Sequence, residues 1–151
     1  MSPAKMTTEQ IRAAMRHEVE ELNKKNVAVY DETIAPNFVS HNLTTGTDTK
    51  GAEAQKQTYK DLLIQFPDRH ITIDDTVVEG DKAFVRLTWT GTHKGKLGAS
   101  AGNLAPTGKK VTMTQFFVRR FAGGKEVERW TMANRLSFYQ QLGVTPTADM
   151  K

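Results

Sequence analysis

Apolar residues in the first part of the chain recur at helical spacing. Four of them form one stripe between residues 7 and 26: Ile11, Met15, Val19 and Leu22. This stripe predicts an amphipathic helix, and Thr7 with Gln10 matches a capping box at its start. A second, shorter helix is predicted over residues 27–34, ended by Pro36, because proline has no backbone N–H to donate.

The second half alternates between apolar and polar residues with a period of two, which is typical of β-strands. Strands are predicted over four segments: residues 69–78, 82–93, 109–122 and 125–134. Gly123-Gly124 is expected to form a hairpin turn between the last two. A third helix is predicted before the strands, over residues 51–65, and a short closing helix after them, over residues 136–142. The helices come first along the chain and the antiparallel strands follow, and this order predicts an α+β fold with one curved sheet.

The chain of 151 residues is expected to be one domain, residues 1–151, with its core at about 8–144. It contains no cysteine, which excludes disulfides and thiolate chemistry. The net charge is +4, but the basic residues are scattered and match no nucleic-acid-binding motif. No apolar run is long enough to span a membrane. The N-terminus lacks the apolar core of a signal peptide, so a cytoplasmic location is expected.

One face of the predicted strand 125–134 carries an unusual mixture of side chains. It presents two carboxylates, an indole, a thioether and an amide: Glu126, Glu128, Trp130, Met132 and Asn134. Because unpaired carboxylates are costly to bury, this mixture suits a pocket wall. On the neighbouring strand, Gln115 and Phe117 are expected to add a donor and an apolar wall, with Met113 on the same face. The alternatives are a strand whose polar edge lies in water, and a Glu128 that pairs with Arg86 or Arg119 across the sheet.

The four histidines do not form a metal motif. His17, His41, His70 and His93 are far apart, and none is spaced as a ligand pair. The chain also lacks a glycine-rich phosphate loop and a Ser-His-Asp order. We therefore expect chemistry without a metal or an organic cofactor.

Short motifs in a fixed order carry a resemblance to a known family. They are Phe66-Pro67-Asp68, Glu79-Gly80-Asp81, Gly91-Thr92-His93, Pro106-Thr107-Gly108, Gly124-Lys125-x-x-Glu128-x-Trp130 and Gln141-Leu142-Gly143. This order resembles the SnoaL-like polyketide cyclase family of the NTF2-like superfamily. The resemblance covers roughly residues 10–144. It implies a cone in which helices and a curved sheet enclose one pocket, and by analogy a homodimer that forms through the open sheet face.

The resemblance also implies a site, with one departure. The family carries its acid/base Asp where this chain has Asn134, and an amide cannot act as a general base. Different chemistry, another base, or an inactivated protein would each account for this. The family places a histidine in the cavity at His41, which makes His41 the leading base, and Gly-Thr-His places His93 at the cavity border. The alternatives are a solvated His41 and a His93 that orients a loop. Phe66 is expected to contact the substrate.

Two functions follow as hypotheses. The first is a cofactor-independent enzyme that catalyses proton transfer or intramolecular aldol ring closure on a polyketide-type small molecule. In it, His41 removes the proton and Asn134 donates to the enolate oxygen. The second is a non-catalytic protein that binds a small apolar or aromatic molecule in the same cavity. Residues 94–108 form a loop longer than the family usually has, either a lid or a tolerated insertion.

Overall fold

A computed structural model describes residues 5–148 and residue 150. The described helices are α1 (Thr8–Asn23), α2 (Val29–Thr33), α3 (Gly51–Gln65) and α4 (Arg135–Gln141). The described strands are β1 (Ile34–Asn42), β2 (Thr47–Lys50), β3 (His70–Glu79), β4 (Lys82–Thr92), β5 (Lys110–Ala122) and β6 (Lys125–Ala133). A single 3₁₀ turn, Ala99–Ala101, lies between β4 and β5. The expected α+β class with helices on one curved sheet is confirmed.

The six strands form one sheet in the order β2-β1-β6-β5-β4-β3. All neighbours are antiparallel except β1 and β6, which run parallel. This pairing brings the N-terminal third of the chain against its last strand. The helices cover the concave face of the sheet, so the core lies between the two layers.

Helix α1 forms as its sequence predicts. The Thr7 side chain accepts a hydrogen bond from the Gln10 backbone, and the Gln10 side chain accepts one from the Thr7 backbone. This capping box satisfies two backbone donors that a helix start leaves free. Ile11, Met15 and Leu22 are buried beneath the helix, so its apolar stripe faces the sheet.

The segment after α1 differs from the prediction. Helix α2 is only five residues long, and the chain is extended from Ile34 onward. Pro36 therefore lies inside strand β1, where the register with β6 shifts between Ile34 and Val39. A proline has no N–H for a continuous ladder, which is why such an irregularity is expected there. Residues 47–50, for which no strand was predicted, form the short edge strand β2.

A β-bulge interrupts the hairpin of β5 and β6. Phe121 pairs with Glu126, but the next pair is Arg120 with Glu128, so Val127 is an extra residue on β6. Because side chains alternate along a strand, one extra residue exchanges the two faces of everything that follows. Glu126 points to the concave face with Phe121, whereas Glu128 points to the convex face with Arg120.

Candidate functional site: a cavity with buried arginines

A cavity of about 460 Å³ lies between the helices and the concave face of the sheet. Its apolar wall is rich in aromatic and aliphatic residues, among them Phe66, Val85, Leu87, Trp89, Met113 and Phe117. Polar groups project between them, among them Glu18, Tyr59, Arg69, Gln115 and Thr131. An apolar cavity with a few directed polar groups is typical of a small-molecule site.

One end of the cavity is closed by four charged side chains that pair with each other. Glu126 accepts from Nε of Arg119, and from Nε of Arg129 at 2.7 Å. Glu18 accepts from Nη2 of Arg119 at 2.9 Å, and Nη2 of Arg129 lies 3.3 Å from the same oxygen. The Thr33 hydroxyl donates to the other Glu18 oxygen at 2.9 Å. Two carboxylates thus balance two guanidinium groups.

Burial and charge oppose each other in this cluster. Burial alone would raise the pKa of Glu18, but Arg119 and Arg129 outweigh it and hold that pKa below its usual value. Burial would lower the pKa of Arg129, but Glu126 and Glu18 raise it instead. Both groups therefore stay charged near neutral pH, and Glu18 is a weak base.

A fifth buried charge in the described structure, Arg69, lies elsewhere on the wall without a carboxylate partner. Its guanidinium carbon lies 4.0 Å from the Trp89 ring centre and 5.5 Å from that of Tyr59. Its Nε and Nη1 atoms and the Tyr59 hydroxyl are buried with no hydrogen-bond partner among the described residues. Burial lowers the pKa of Arg69, although a guanidinium remains protonated in proteins. Burial likewise raises the pKa of Tyr59.

The motifs that carry the resemblance hold this wall together. Asp68 accepts from the Thr92 backbone at 2.6 Å and from its hydroxyl at 2.7 Å, and these two bonds lower the pKa of Asp68. A side chain at Gly91 would place its Cβ 2.9 Å from Cβ of Phe66. The segment Phe66-Pro67-Asp68 therefore packs closely against Gly91-Thr92-His93. This contact holds the turn that places the Arg69 side chain on the cavity wall.

The long loop between β4 and β5 forms part of the cavity wall. Leu97 and Ala101 line the cavity and are nearly fully buried. Backbone N–H groups of Lys94 and Gly95 both donate to the Gln65 carbonyl at the end of α3. The Tyr139 hydroxyl of α4 donates to the Ser100 carbonyl at 2.9 Å. This loop thus closes the space between α3 and α4.

Some predicted site residues line the cavity and others lie outside it. Phe66, Gln115 and Phe117 are on its wall, and so is Met113. Four residues in β6 and just after it were also expected on the wall, but they do not line the cavity: Glu128, Trp130, Met132 and Asn134. Their expected placement is wrong because the bulge at Val127 turns this face outward, and Arg129, Thr131 and Ala133 line the cavity instead.

The outward side chains have structural contacts of their own. His41 does not line the cavity. Its Nδ1 lies 3.0 Å from Asp48 and its Nε2 lies 2.8 Å from Glu128, and its ring stacks on Trp130. These contacts, first the one with Glu128, raise the pKa of His41. Glu128 also pairs with Arg120 at 3.0 Å, so the alternative of a cross-strand ion pair holds with a different arginine.

The other two predicted catalytic residues also lie off the cavity wall. Asn134 is the N-cap of α4, where its side chain accepts from the Ser137 backbone at 3.0 Å. His93 is fully buried, and its Nδ1 accepts from the Thr107 backbone at 3.1 Å. This bond joins the two ends of the loop between β4 and β5. His93 therefore orients a loop, which was the alternative to a place at the cavity border. Met132 is half exposed.

Sequence reasoning missed the charged residues of the cavity. Glu18 had a readable signal, because the spacing Ile11, Met15, Glu18, Leu22 fits the buried stripe of α1 better than Val19 does. A carboxylate at a core position indicates buried partners. Arg69 belongs to no recognisable motif. Its position on the wall follows only from the contact between residues 66–68 and 91–93.

An α+β cone with an enclosed cavity defines the NTF2-like class, which includes ketosteroid isomerase-like folds. The chain belongs to the SnoaL-like polyketide cyclase family, whose model matches residues 12–142. No curated protein matches the chain. IdmH, a proposed polyketide cyclase from Streptomyces antibioticus, is 28% identical with a TM-score of 0.75, covering 88% of this chain and 98% of its own.

Two more distant structures share the fold alone. TsrD from Streptomyces laurentii is 21% identical with a TM-score of 0.80, covering 93% of this chain and 99% of its own. A ketosteroid isomerase-like protein from Catenulispora acidiphila is 15% identical with a TM-score of 0.71, covering 93% of this chain and 96% of its own.

Within residues 5–148 and 150, no helix is long and apolar enough to cross a membrane, and no cluster of side chains suits a metal ion.

Proposed function

We propose that this protein binds a polyketide-type small molecule in its cavity and acts on it as a cofactor-independent cyclase-like enzyme. The reaction class would be proton transfer beside a carbonyl or intramolecular aldol ring closure. The observation that carries the proposal is the cavity of about 460 Å³, whose aromatic walls alternate with inward polar groups. Family membership supports the same substrate class.

The chemistry would depend on stabilising negative charge on oxygen rather than on a strong base. Donors on the wall, Gln115 and Thr131 on the sheet and Tyr59 on α3, can stabilise an enolate in a water-poor space. Glu18 is the carboxylate that lines the cavity in the described structure, and its lowered pKa makes it a weak base. A methylene between two carbonyls, the usual nucleophile of a polyketide, is acidic enough to transfer its proton to the Glu18 carboxylate. The enolate would then attack a second carbonyl of the same molecule, and the alkoxide formed would take the proton back from Glu18.

The test is turnover of an aromatic polyketide methyl ester, followed by mass spectrometry. We expect Gln115→Leu to reduce turnover, since it removes a donor from the wall without changing the size of the side chain greatly. His41→Ala and Asn134→Ala are the controls, because both residues lie off the cavity, and turnover should stay within about two-fold of the wild type. A large loss in either control, with the fold intact, would contradict this assignment.

Non-catalytic binding is the second candidate, and one observation favours it. No histidine or aspartate lines the cavity in the described part of the chain, and Glu18 is held by two arginines. Asn134→Asp would not supply a base, because position 134 faces away from the cavity. Thermal stabilisation by aromatic ligands, with no product from any ester tested, would support this candidate over the enzyme.

We further propose a homodimer through the convex face of the sheet. Large apolar side chains stand exposed there on adjacent strands: Val77, Phe84, Phe116, Val118 and Met132. Exposed apolar patches of this kind mark interaction surfaces. Sedimentation velocity should give a dimer for the wild type and a monomer for Phe116→Glu. Leu136→Glu, an equally exposed apolar position on α4, should stay dimeric, and a monomeric wild type would refute the proposal.

A further inference from the structure

Arg69 differs from the other buried arginines of the cavity in one respect. Arg119 and Arg129 each contact two carboxylates, Glu18 and Glu126. Arg69 is as deeply buried, with 8% of its surface exposed, yet no carboxylate of the described residues pairs with it. The fold therefore compensates two of these charges internally and leaves the third to face the cavity.

The surroundings of Arg69 hold its guanidinium in place without neutralising it. Its central carbon lies 4.0 Å from the centre of the Trp89 ring, and the Tyr59 ring approaches from α3 to 5.5 Å. An aromatic face attracts a cation but leaves the N–H groups at its edge free. Among the residues that the structure describes, two of those nitrogens, Nε and Nη1, have no hydrogen-bond partner, and neither has the Tyr59 hydroxyl. Several donors therefore converge at one point of the wall.

A buried cation without a partner is unfavourable unless something neutralises it. Removing a charge from water is costly in a protein interior, and a hydrogen-bonded counter-charge recovers much of that cost. A planar guanidinium matches a carboxylate in shape and forms charge-assisted hydrogen bonds with it. The wall around this point is aromatic: the Phe66 and Trp89 rings meet edge to face, with their centres 5.2 Å apart.

We propose that the cavity takes a small aromatic molecule bearing a carboxylate, with the carboxylate held by Arg69 and Tyr59 and the rings held against the aromatic wall. This inference rests on the proposed function and narrows its ligand class from apolar polyketide-type molecules to anionic ones. Arg69 is then the residue that selects the charge of the ligand.

Calorimetry with 2-naphthoate and its methyl ester tests the inference, because the two probes share their rings and differ in charge. We expect the wild type to bind the acid at least about ten-fold more tightly than the ester, since charge-assisted hydrogen bonds are worth that much or more. Arg69→Met should bind both equally. Arg86→Met is the matched control, because Arg86 lies half exposed on the convex face beside Asp74, and it should keep the wild-type preference.

The outcomes separate this inference from the function on which it rests. If the wild type binds the ester but shows no preference for the acid, or if Arg69→Met keeps the preference, the inference is overturned and the cavity function stands. If the wild type binds neither probe, both are overturned. A thermal melt checks the fold of Arg69→Met: without ligand it should melt no lower than the wild type, because it removes an uncompensated charge, and naphthoate should no longer raise its melting temperature.

Discussion

Glu126 and Glu128 offer a direct test of the bulge in β6. Each carboxylate contacts three side-chain nitrogens, from Arg119 and Arg129 in the first case and from Arg120 and His41 in the second. They differ in burial, since the Glu126 side chain is fully buried and that of Glu128 is 26% exposed. Substitution of each by glutamine keeps the shape and removes one negative charge.

The two substitutions should lower the free energy of unfolding by very different amounts. Glu126→Gln leaves two buried guanidinium groups with Glu18 as their one counter-charge in the described structure. Breaking a buried ion pair in this way costs about 3–5 kcal/mol. For a chain of this size that corresponds to a fall in melting temperature of about 6–20 °C. Glu128→Gln breaks a partly solvated pair, which is worth at most about 1 kcal/mol.

Urea denaturation of the wild type and both variants measures these free energies of unfolding, and a double-mutant cycle with Arg119→Met isolates the coupling to Glu126. A coupling of about 0.5–3 kcal/mol is expected for groups in one network. Equal costs for the two glutamine variants would show that both side chains have the same environment. That result would refute the bulge and the orientation of the whole end of β6.

Three further predictions concern the surroundings of the cavity. Asn134→Ala should lose about 1 kcal/mol of stability in urea denaturation through the missing N-cap, whereas Asn134→Asp should lose little. The pKa of His41 is raised in the folded state, so its stabilising contribution is complete below its unfolded pKa and is lost as pH rises through the folded value. The stability of the wild type relative to His41→Gln should therefore decrease as pH rises above about 6.5, the ordinary pKa of a histidine, and a difference that grows with pH would contradict this. Gly95→Ala would place a Cβ 2.3 Å from the Ile64 carbonyl oxygen, so it should lower both the melting temperature and the affinity for naphthoate, and an unchanged variant would show that the loop does not depend on this approach.

The sequence predicts most of the architecture, because local patterns determine it. The stripe and capping box of α1, the alternation in β4 and the Gly123-Gly124 turn all depend on neighbouring residues, and each forms as expected. The parallel pairing of β1 with β6 does not depend on neighbours. It joins residues almost ninety positions apart, and Pro36 within β1 argued locally against a strand.

The part of the candidate site that β6 contributes was not predictable, for a reason confined to one residue. Regular pairing from the Gly123-Gly124 turn would set Phe117 opposite Trp130, and this is the face that alternation predicts. The extra residue Val127 sets Phe117 opposite Thr131 instead. Neither composition nor spacing marks Val127 as a bulge, since valine is an ordinary strand residue.

The bulge at Val127 determines which of two sets of β6 side chains lines the cavity. Regular pairing of the same residues, without the bulge, would exchange the arginine and threonine of the inner wall for a carboxylate, an indole and a thioether, and would put the present wall in contact with solvent. The strand therefore encodes two alternative linings, of which one is in use. Deletion of Val127 would leave Arg129 opposite Arg119 and Thr131 opposite Phe117, so a chain without this residue is expected to keep the present lining, whereas a slip of the intact strand by one residue would exchange it.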